Sequence, residues 1–159
     1  MIEIKITPDM HERACLKAKE MGKLHNSITN GDGNIAGFLG EEVANSILGG
    51  VIDNTYDYDI VSSGIKYDVK TKRCTSKPRL DYDCSVAAYN VKQQCHRYVF
   101  VRVLNTTGLY SRAWALGWID KNEYFKISER LYQGQIDTSN GFLVKADCYN
   151  LKINKLNQF

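Results

Sequence analysis

The side chains best suited to chemistry lie between residues 56 and 72, where acidic, basic and β-branched residues alternate. The pattern predicts two strands joined by a tight turn at residues 62–64. Asp59 is placed near the end of the first strand, and Asp68 and Lys70 in the second. Two carboxylates and an ammonium group are costly to bring together unless they bind something. The segment therefore predicts a polar functional site.

Strand geometry determines which of these groups can meet. Side chains alternate faces, so Asp68, Lys70 and Lys72 should project to one side and Val69 to the other. Mg²⁺ prefers few carboxylates and keeps several waters of its own, so Asp59, Asp68 and the Val69 carbonyl are candidate ligands. Lys70 is expected to stabilise charge rather than act as a free base, because neighbouring carboxylates favour its charged form. Such a set suits phosphodiester hydrolysis, which needs an activated water and a stabiliser of developing charge.

Two helices should precede this hairpin. Thr7 as N-cap, followed by a proline, predicts a helix over residues 8–21. Apolar residues covering a wide arc predict a second, well-buried helix over residues 35–48, ended by Gly49. The polar loop at residues 23–34 is longer than most connections. Its His, Asn and Ser side chains could contact a phosphate or form an ordinary surface loop.

The second half of the chain reads mainly as strands. Residues 98–104 are nearly all apolar, which is typical of a central strand covered on both faces. The other predicted elements are strands at residues 85–89 and 112–119, a helix at residues 121–132 capped by Asp120, and an edge strand at residues 147–153. This order predicts one α/β domain over residues 1–159, with a central mixed sheet of about four to five strands flanked by helices.

Composition excludes several classes of protein. The chain has 159 residues and a net charge of +3, which permits a nucleic-acid partner without requiring one. Its five cysteines are an odd number without a CxxC pair, which disfavours zinc ribbons and redox dithiols, with an iron–sulfur site as the weaker alternative. No segment resembles a signal peptide or reaches membrane-spanning length. We therefore expect no membrane association and a cytoplasmic location, in the host cell if the protein is viral.

The order of the motif residues resembles one known family. A helix carrying Gly40-Glu41, then Asp59, then Asp68-Val69-Lys70 is similar to the PD-(D/E)xK nuclease superfamily, in which the proline of the name is here Tyr58. The resemblance covers residues 35–73 well and residues 98–104 moderately. It implies a restriction-endonuclease-like fold, in a small phage-type member of the family.

The resemblance also implies roles for individual residues. Asp59 and Asp68 correspond to metal ligands, Lys70 to the catalytic lysine, and Glu41 to the acid that reaches the metal through water. Glu42 is the neighbouring alternative to Glu41. A competing ligand in place of Asp59 is Asp57.

The implied activity is a Mg²⁺-dependent deoxyribonuclease, with Mn²⁺ able to substitute. Endonuclease and exonuclease action both stay open, RNA is not excluded as a substrate, and a homo-oligomer is possible. The basic residues expected to contact the nucleic-acid backbone are Lys72, Arg73, Lys77 and Arg79. The alternative function is a non-catalytic nucleic-acid-binding or assembly module of the same fold.

Two further patterns have a functional and a structural interpretation. Gln94 and Tyr98 have the spacing of a Gln-xxx-Tyr element found in exonuclease branches of the superfamily, but a helix-end amide followed by a strand tyrosine is the favoured explanation. Trp114 and Trp118 could stack on bases, yet their alternate spacing favours core packing.

Overall fold

The computed structural model describes residues 1–21 and 34–159, which form an α/β structure. A six-stranded sheet has helices on one face and a three-stranded sheet with a further helix on the other. The elements are β1 (Ile2–Lys5), α1 (Pro8–Met21), α2 (Asn34–Leu48), β2 (Val51–Ile52), β3 (Ile60–Ser62), β4 (Ile65–Cys74), β5 (Asp83–Ala87), β6 (Arg97–Thr106), β7 (Leu109–Asp120), α3 (Lys121–Ile127), β8 (Glu129–Leu131) and β9 (Cys148–Lys152).

The large sheet is mixed. Its strand order is β1-β7-β6-β4-β3-β2, with β4 and β6 parallel and the other pairs antiparallel. The small sheet has the order β5-β9-β8 and is antiparallel throughout. The predicted α/β class with a mixed sheet is confirmed. The sheet has six strands rather than four to five, because the short outer strands β1 and β2 carry too few residues to show a periodic pattern.

Strand β6 holds the two sides of the molecule together. Val99, Val101 and Val103 pack with α1 and α2 on one face of the sheet. Tyr98 and Phe100 point to the other face and pack with α3 and the small sheet. The expectation of a central strand covered on both faces is confirmed.

The ends of the first two helices agree with the sequence. Thr7 Oγ1 accepts a hydrogen bond from Met10 N at 3.2 Å, so Thr7 is the N-cap of α1. Helix α2 ends at Leu48 and is closed by Gly49, as predicted. The φ of Gly49, 62°, suits a residue without a side chain, and its N–H donates to Asn45 O at 2.9 Å. The predicted loop at residues 23–34 lies outside the described residues except for its last position, which begins α2.

Three predictions in the second half differ from the structure. Helix α3 ends at Ile127 rather than at residue 132, because the next residues pair with β9 as strand β8. Asp120 makes no side-chain cap and instead accepts a hydrogen bond from Arg97 Nε at 3.1 Å. The strand predicted at an edge, β9, lies between β5 and β8. No helix of the described residues has the length and apolar character needed to cross a membrane.

Candidate active site

The site forms where β3 and β4 separate. The two strands pair only as far as Ile60 and Tyr67, after which β4 continues without β3 beside it. Asp59 lies at this point, directly before β3 rather than near its end as the sequence suggested. Its N–H donates to Tyr67 O at 2.8 Å, and its Oδ2 accepts from Val69 N at 2.7 Å. The Asp59 side chain thus takes the place of the next backbone partner of β4, and this holds its carboxylate against the strand.

The same hydrogen bond orients the Val69 carbonyl. The N–H and C=O of one strand residue point to the same side of the strand. Because Val69 N faces Asp59, the Val69 carbonyl also faces the edge of β4 that β3 leaves open. Its side chain packs against the helical face of the sheet, as alternation predicts.

Asp68 projects to the opposite face and is 4% exposed. Its Oδ1 accepts a hydrogen bond from Gln93 Nε2 at 2.9 Å, and its Oδ2 lies 2.6 Å from Lys70 Nζ. The two groups form an ion pair. Apart from this ion pair, Asp68 Oδ2 has no hydrogen-bond partner among the described residues. A buried carboxylate oxygen in this state has capacity left for a ligand.

Helix α2 brings Glu41 to the site. Gly40 makes the close approach possible, since a methyl group there would overlap Thr71 Oγ1 of β4. Glu41 is 8% exposed, and its Oε2 accepts a hydrogen bond from Asn54 Nδ2. Asn54 Oδ1 in turn accepts from Lys17 Nζ at 2.6 Å. The acid is thereby connected to α1 and to the loop between β2 and β3.

The carboxylates act on one another. The pKa of Glu41 is raised to about 7, mainly by burial. The hydrogen bond from Asn54 opposes the rise, and the charge of Asp68 contributes to it. The pKa of Asp59 is raised well above its ordinary value, first by burial and then by the charges of Asp68 and Glu41. The hydrogen bond from Val69 N and the charge of Lys70 oppose this rise. The structure thus brings the four predicted residues into one electrostatically connected group with an excess of carboxylates.

The neighbouring alternatives point elsewhere. Glu42 Oε2 accepts hydrogen bonds from Arg13 Nε at 3.0 Å and Arg13 Nη2 at 2.7 Å, which directs Glu42 towards α1. Asp57 Oδ1 accepts from Gln94 N at 2.9 Å and so anchors the loop before β3. Glu41 and Asp59 are the members of each pair that face the site.

Gln93 contacts two residues of the candidate site, although the sequence analysis did not identify it. It is 5% exposed, and its Nε2 donates to Asp68 Oδ1 and to Tyr56 O, each at 2.9 Å. Its Oε1 lies 3.4 Å from Lys70 Nζ. The predicted candidate, Gln94, is exposed and bonds only within its own turn and to Asp57, while Tyr98 is a core residue. The contacts of Gln94 and Tyr98 agree with the structural explanation that the sequence analysis favoured for this pair.

The predicted basic cluster is divided by the fold. Lys72 lies on the same face as Lys70, and Arg73 on the opposite face of β4. Lys77 is exposed in the connection that follows β4. Arg79 is engaged by Asp81, with Nε–Oδ1 at 3.0 Å and Nη2–Oδ2 at 2.6 Å. Lys72 is the member that adjoins the candidate active site.

The residues present fit a sparsely coordinated cation. Within residues 1–21 and 34–159, no three His, Cys, Asp or Glu side chains gather closely enough to form a metal-binding group by themselves. Two carboxylates and a carbonyl oxygen are a donor set that suits Mg²⁺, which retains water ligands. Such a cation would bind Asp68 Oδ2, which has the Lys70 ion pair but no hydrogen bond among the described residues. It would also offset the burial and the repulsion that raise the pKa of Asp59.

Comparison with known proteins identifies no family. The sequence matches no protein-family model, and no curated protein is similar enough to count as a relative. Function is therefore argued from the geometry of the site and from the order of its motif residues along the chain.

Proposed function

We propose that the protein is a metal-dependent nuclease that hydrolyses phosphodiester bonds of DNA. The observation that supports this most strongly is the meeting of Glu41, Asp59, Asp68 and Lys70 at the open edge of β4. Three carboxylates share one ammonium group, that of Lys70, so the site carries an excess of negative charge. A divalent cation would offset this excess, and a phosphate bound to the cation would lie beside Lys70.

The topology supports a restriction-endonuclease-like fold. A helix bearing the acid, α2, is followed by the antiparallel strands β2, β3 and β4, and β6 then runs parallel to β4. The succession of α2 with Glu41, then Asp59, then β4 with Asp68 and Lys70 is the order implied by the resemblance. The face opposite α1 and α2 is covered by the small sheet and α3 rather than by helices alone.

Asp59, Asp68 and the Val69 carbonyl would hold the cation, and Glu41 would reach it through water. Bound Mg²⁺ or Mn²⁺ supplies positive charge for the phosphate and lowers the pKa of its bound water. The acids lie in a partly buried setting, where electrostatic interactions are stronger than in bulk water.

The protein's own groups have separate tasks. Lys70 is held by Asp68 on one side and approached by Gln93 Oε1 on the other, so its ammonium has a defined position. From there it can stabilise negative charge that develops on the phosphate. Gln93 keeps Asp68 oriented through Nε2, which acts as a positioning contact rather than a reacting group.

The decisive experiment combines cleavage with one substitution. Purified protein is incubated with linear, circular and single-stranded DNA, and with RNA, in the presence of Mg²⁺, Mn²⁺ or chelator. We expect cleavage with either metal, none with chelator, and at least about a 100-fold loss in Lys70→Ala. Lys126→Ala, an exposed lysine in α3, is the matched control and should cleave normally. Equal cleavage by Lys70→Ala and wild type would refute the mechanism.

One observation favours the alternative of a non-catalytic nucleic-acid-binding module. Glu41 is already hydrogen-bonded to Asn54, and the described residues contain no ready-made group of three ligands. If DNA binds in chelator and no metal produces cleavage of any substrate form, this alternative replaces the nuclease.

We also propose a cytoplasmic location. All five cysteines are free, and Cys84 and Cys95 are buried, which suits a reducing compartment. Burial raises the pKa of Cys95 to about 11 and keeps its thiol protonated and unreactive.

A further inference from the structure

We propose that Lys72, Arg102 and Ser85 bind a phosphate group of a nucleic-acid strand, beside the phosphate that is cleaved. The identity of the ligand rests on the proposed nuclease function. The preference for an anion does not, since it follows from the charges and contacts of these three residues.

The three residues come from adjoining strands. Lys72 and Arg102 are direct neighbours in the parallel pair of β4 and β6. Lys72 follows Asp68 and Lys70 on the same face of β4. Ser85 lies in β5, and its Oγ accepts a hydrogen bond from Lys72 Nζ at 2.6 Å. The group is therefore built on sheet strands and spans the gap between the two sheets.

A cavity of about 300 Å³ connects this group with the candidate active site. Lys70, Lys72, Ser85 and Arg102 all line it, together with the apolar side chain of Phe100. A ligand in the cavity can thus touch Lys70 and the Lys72–Arg102 pair at the same time.

The charges in the cavity are not balanced. Lys72 bonds the neutral Ser85 hydroxyl, and Arg102 Nη2 bonds the backbone oxygen of Asp83 at 2.6 Å. Over the described ranges, 1–21 and 34–159, neither cation forms an ion pair. The carboxylate that lines the cavity belongs to Asp83, and its Oδ1 lies 2.8 Å from Lys152 Nζ. Two positive charges therefore face the cavity without an acid of their own.

The pKa of Lys72 is lowered, which is consistent with two cations lying side by side. The largest cause is partial burial of the ammonium group, and the next is the charge of Arg102. The residue as a whole remains exposed, so the ammonium is still open to a ligand from solvent. A bound anion would relieve the repulsion between the two cations.

The donor set matches a phosphate. A guanidinium has five N–H donors in a planar fork and an ammonium has three, and each uses one in the contacts described above. Lys70 and Lys72 are two residues apart on one strand, about 6.8 Å. This is on the scale of the separation between successive phosphates in an extended strand. A scissile phosphate at Lys70 would place its neighbour between Lys72 and Arg102.

Binding is measured in chelator, so that cleavage cannot interfere. The probe is a short, labelled thymidine oligonucleotide, with inorganic phosphate as a competitor and an oligonucleotide with neutral methylphosphonate linkages as a comparison. We expect Lys72→Gln and Arg102→Gln each to bind roughly 10-fold more weakly. The salt slope of log K should fall by about 0.7 for the lost phosphate contact. The control variant is Lys19→Gln/Lys126→Gln, which loses two positive charges from exposed helix positions, as many as Lys72→Gln/Arg102→Gln loses. It should bind like wild type.

Several outcomes decide the proposal. Competition by inorganic phosphate in wild type, lost in Lys72→Gln/Arg102→Gln, supports it. Equal weakening by the control pair, or equal binding of the neutral oligonucleotide, overturns it. Should Arg102→Gln fail to fold, Lys72→Gln alone provides the test, because Lys72 is an exposed side chain.

The two proposals fail in different ways. Metal-dependent cleavage with unchanged binding in both variants removes the phosphate site and leaves the nuclease. Phosphate binding that depends on Lys72 and Arg102, without cleavage under any metal, removes the nuclease and leaves the site.

Discussion

At one end of β4, Asp68 and Lys70 lie beside the carboxylates of Asp59 and Glu41. Further along the same face, Lys72 lies instead beside Arg102 and the Ser85 hydroxyl. The first group, the acidic end of β4, has more negative than positive side chains. The second, the basic end, has two cations that bond only neutral groups. This separation of charge along one strand is what the two proposals above rest on, a divalent cation at the acidic end and a phosphate at the basic end.

Removing a charge from the acidic end should have the largest effect. Asp68→Asn keeps the shape of the side chain but removes the charge that faces the open edge, so we expect a loss of cleavage of about 100-fold or more. Asp57→Asn is the matched control, because its amide oxygen can still accept from Gln94 N. Similar loss of cleavage in both variants would show that the effect is not specific to the acidic end.

The acidic end should also destabilise the metal-free protein as pH rises. Burial raises the pKa of Glu41 from 4.5 to about 7, so the folded state holds this proton more tightly than the unfolded state. The resulting stability is complete below about pH 4.5 and is lost as pH rises through 7. The loss amounts to at most about 3 kcal/mol. Denaturant unfolding in chelator between pH 5 and 8 should show this decline.

Glu41→Gln supplies the control for this decline. It cannot ionise, so its unfolding free energy should depend less on pH over the same range. The raised pKa of Asp59 acts in the same direction and should leave part of the decline in place. Stability that rises with pH in wild type would contradict the prediction.

Two glycines of α2 test how the acidic end is positioned. Gly40→Ala would press a methyl group onto Thr71 and should cost about 1–3 kcal/mol, with Glu41 displaced from β4. Gly37→Ala meets no described atom within 4 Å and should stabilise the helix by roughly 0.5–1 kcal/mol. Thermal unfolding of the two variants distinguishes the effect of the contact with Thr71 from the effect of helix propensity. A stabilised Gly40→Ala would show that the helix does not depend on this contact.

A neighbouring amide pair gives the smallest expected effect. Gln93→Ala removes the contacts to Asp68 and Lys70 and should lower cleavage roughly 10-fold, while Gln94→Ala should change it little. The pH profile of cleavage should shift in Gln93→Ala alone, since this amide orients the acid. An unshifted profile would assign Gln93 a purely structural role.

Part of the acidic end could be predicted because its information is local. Alternation along one strand predicts that Asp68 and Lys70 lie together, whereas Glu41 was assigned to the site only by the resemblance to a family motif. The choice between Glu41 and Glu42 needed the structure, because neighbouring helix positions differ by about 100° and the position of α1 decides which acid is turned away.

The basic end could not be predicted in the same way. Arg102 appears in the sequence as one charged residue within an apolar strand, and its proximity to Lys72 depends on the parallel pairing of β4 and β6. Gln93 reaches Asp68 from a 3₁₀ turn more than twenty residues away in the chain. The central place of β9 likewise depends on partners on both sides that are distant in sequence. Pairing between distant segments leaves no periodic signal in either one.

The outermost strands of the large sheet have a consequence for solubility. Strands β1 and β2 are four and two residues long, and they close the two sides of the sheet. A short border strand offers few free backbone groups to a strand from another molecule, which is a common protection against fibril growth. Contacts between copies of this protein are therefore expected to use side chains rather than an extension of the sheet.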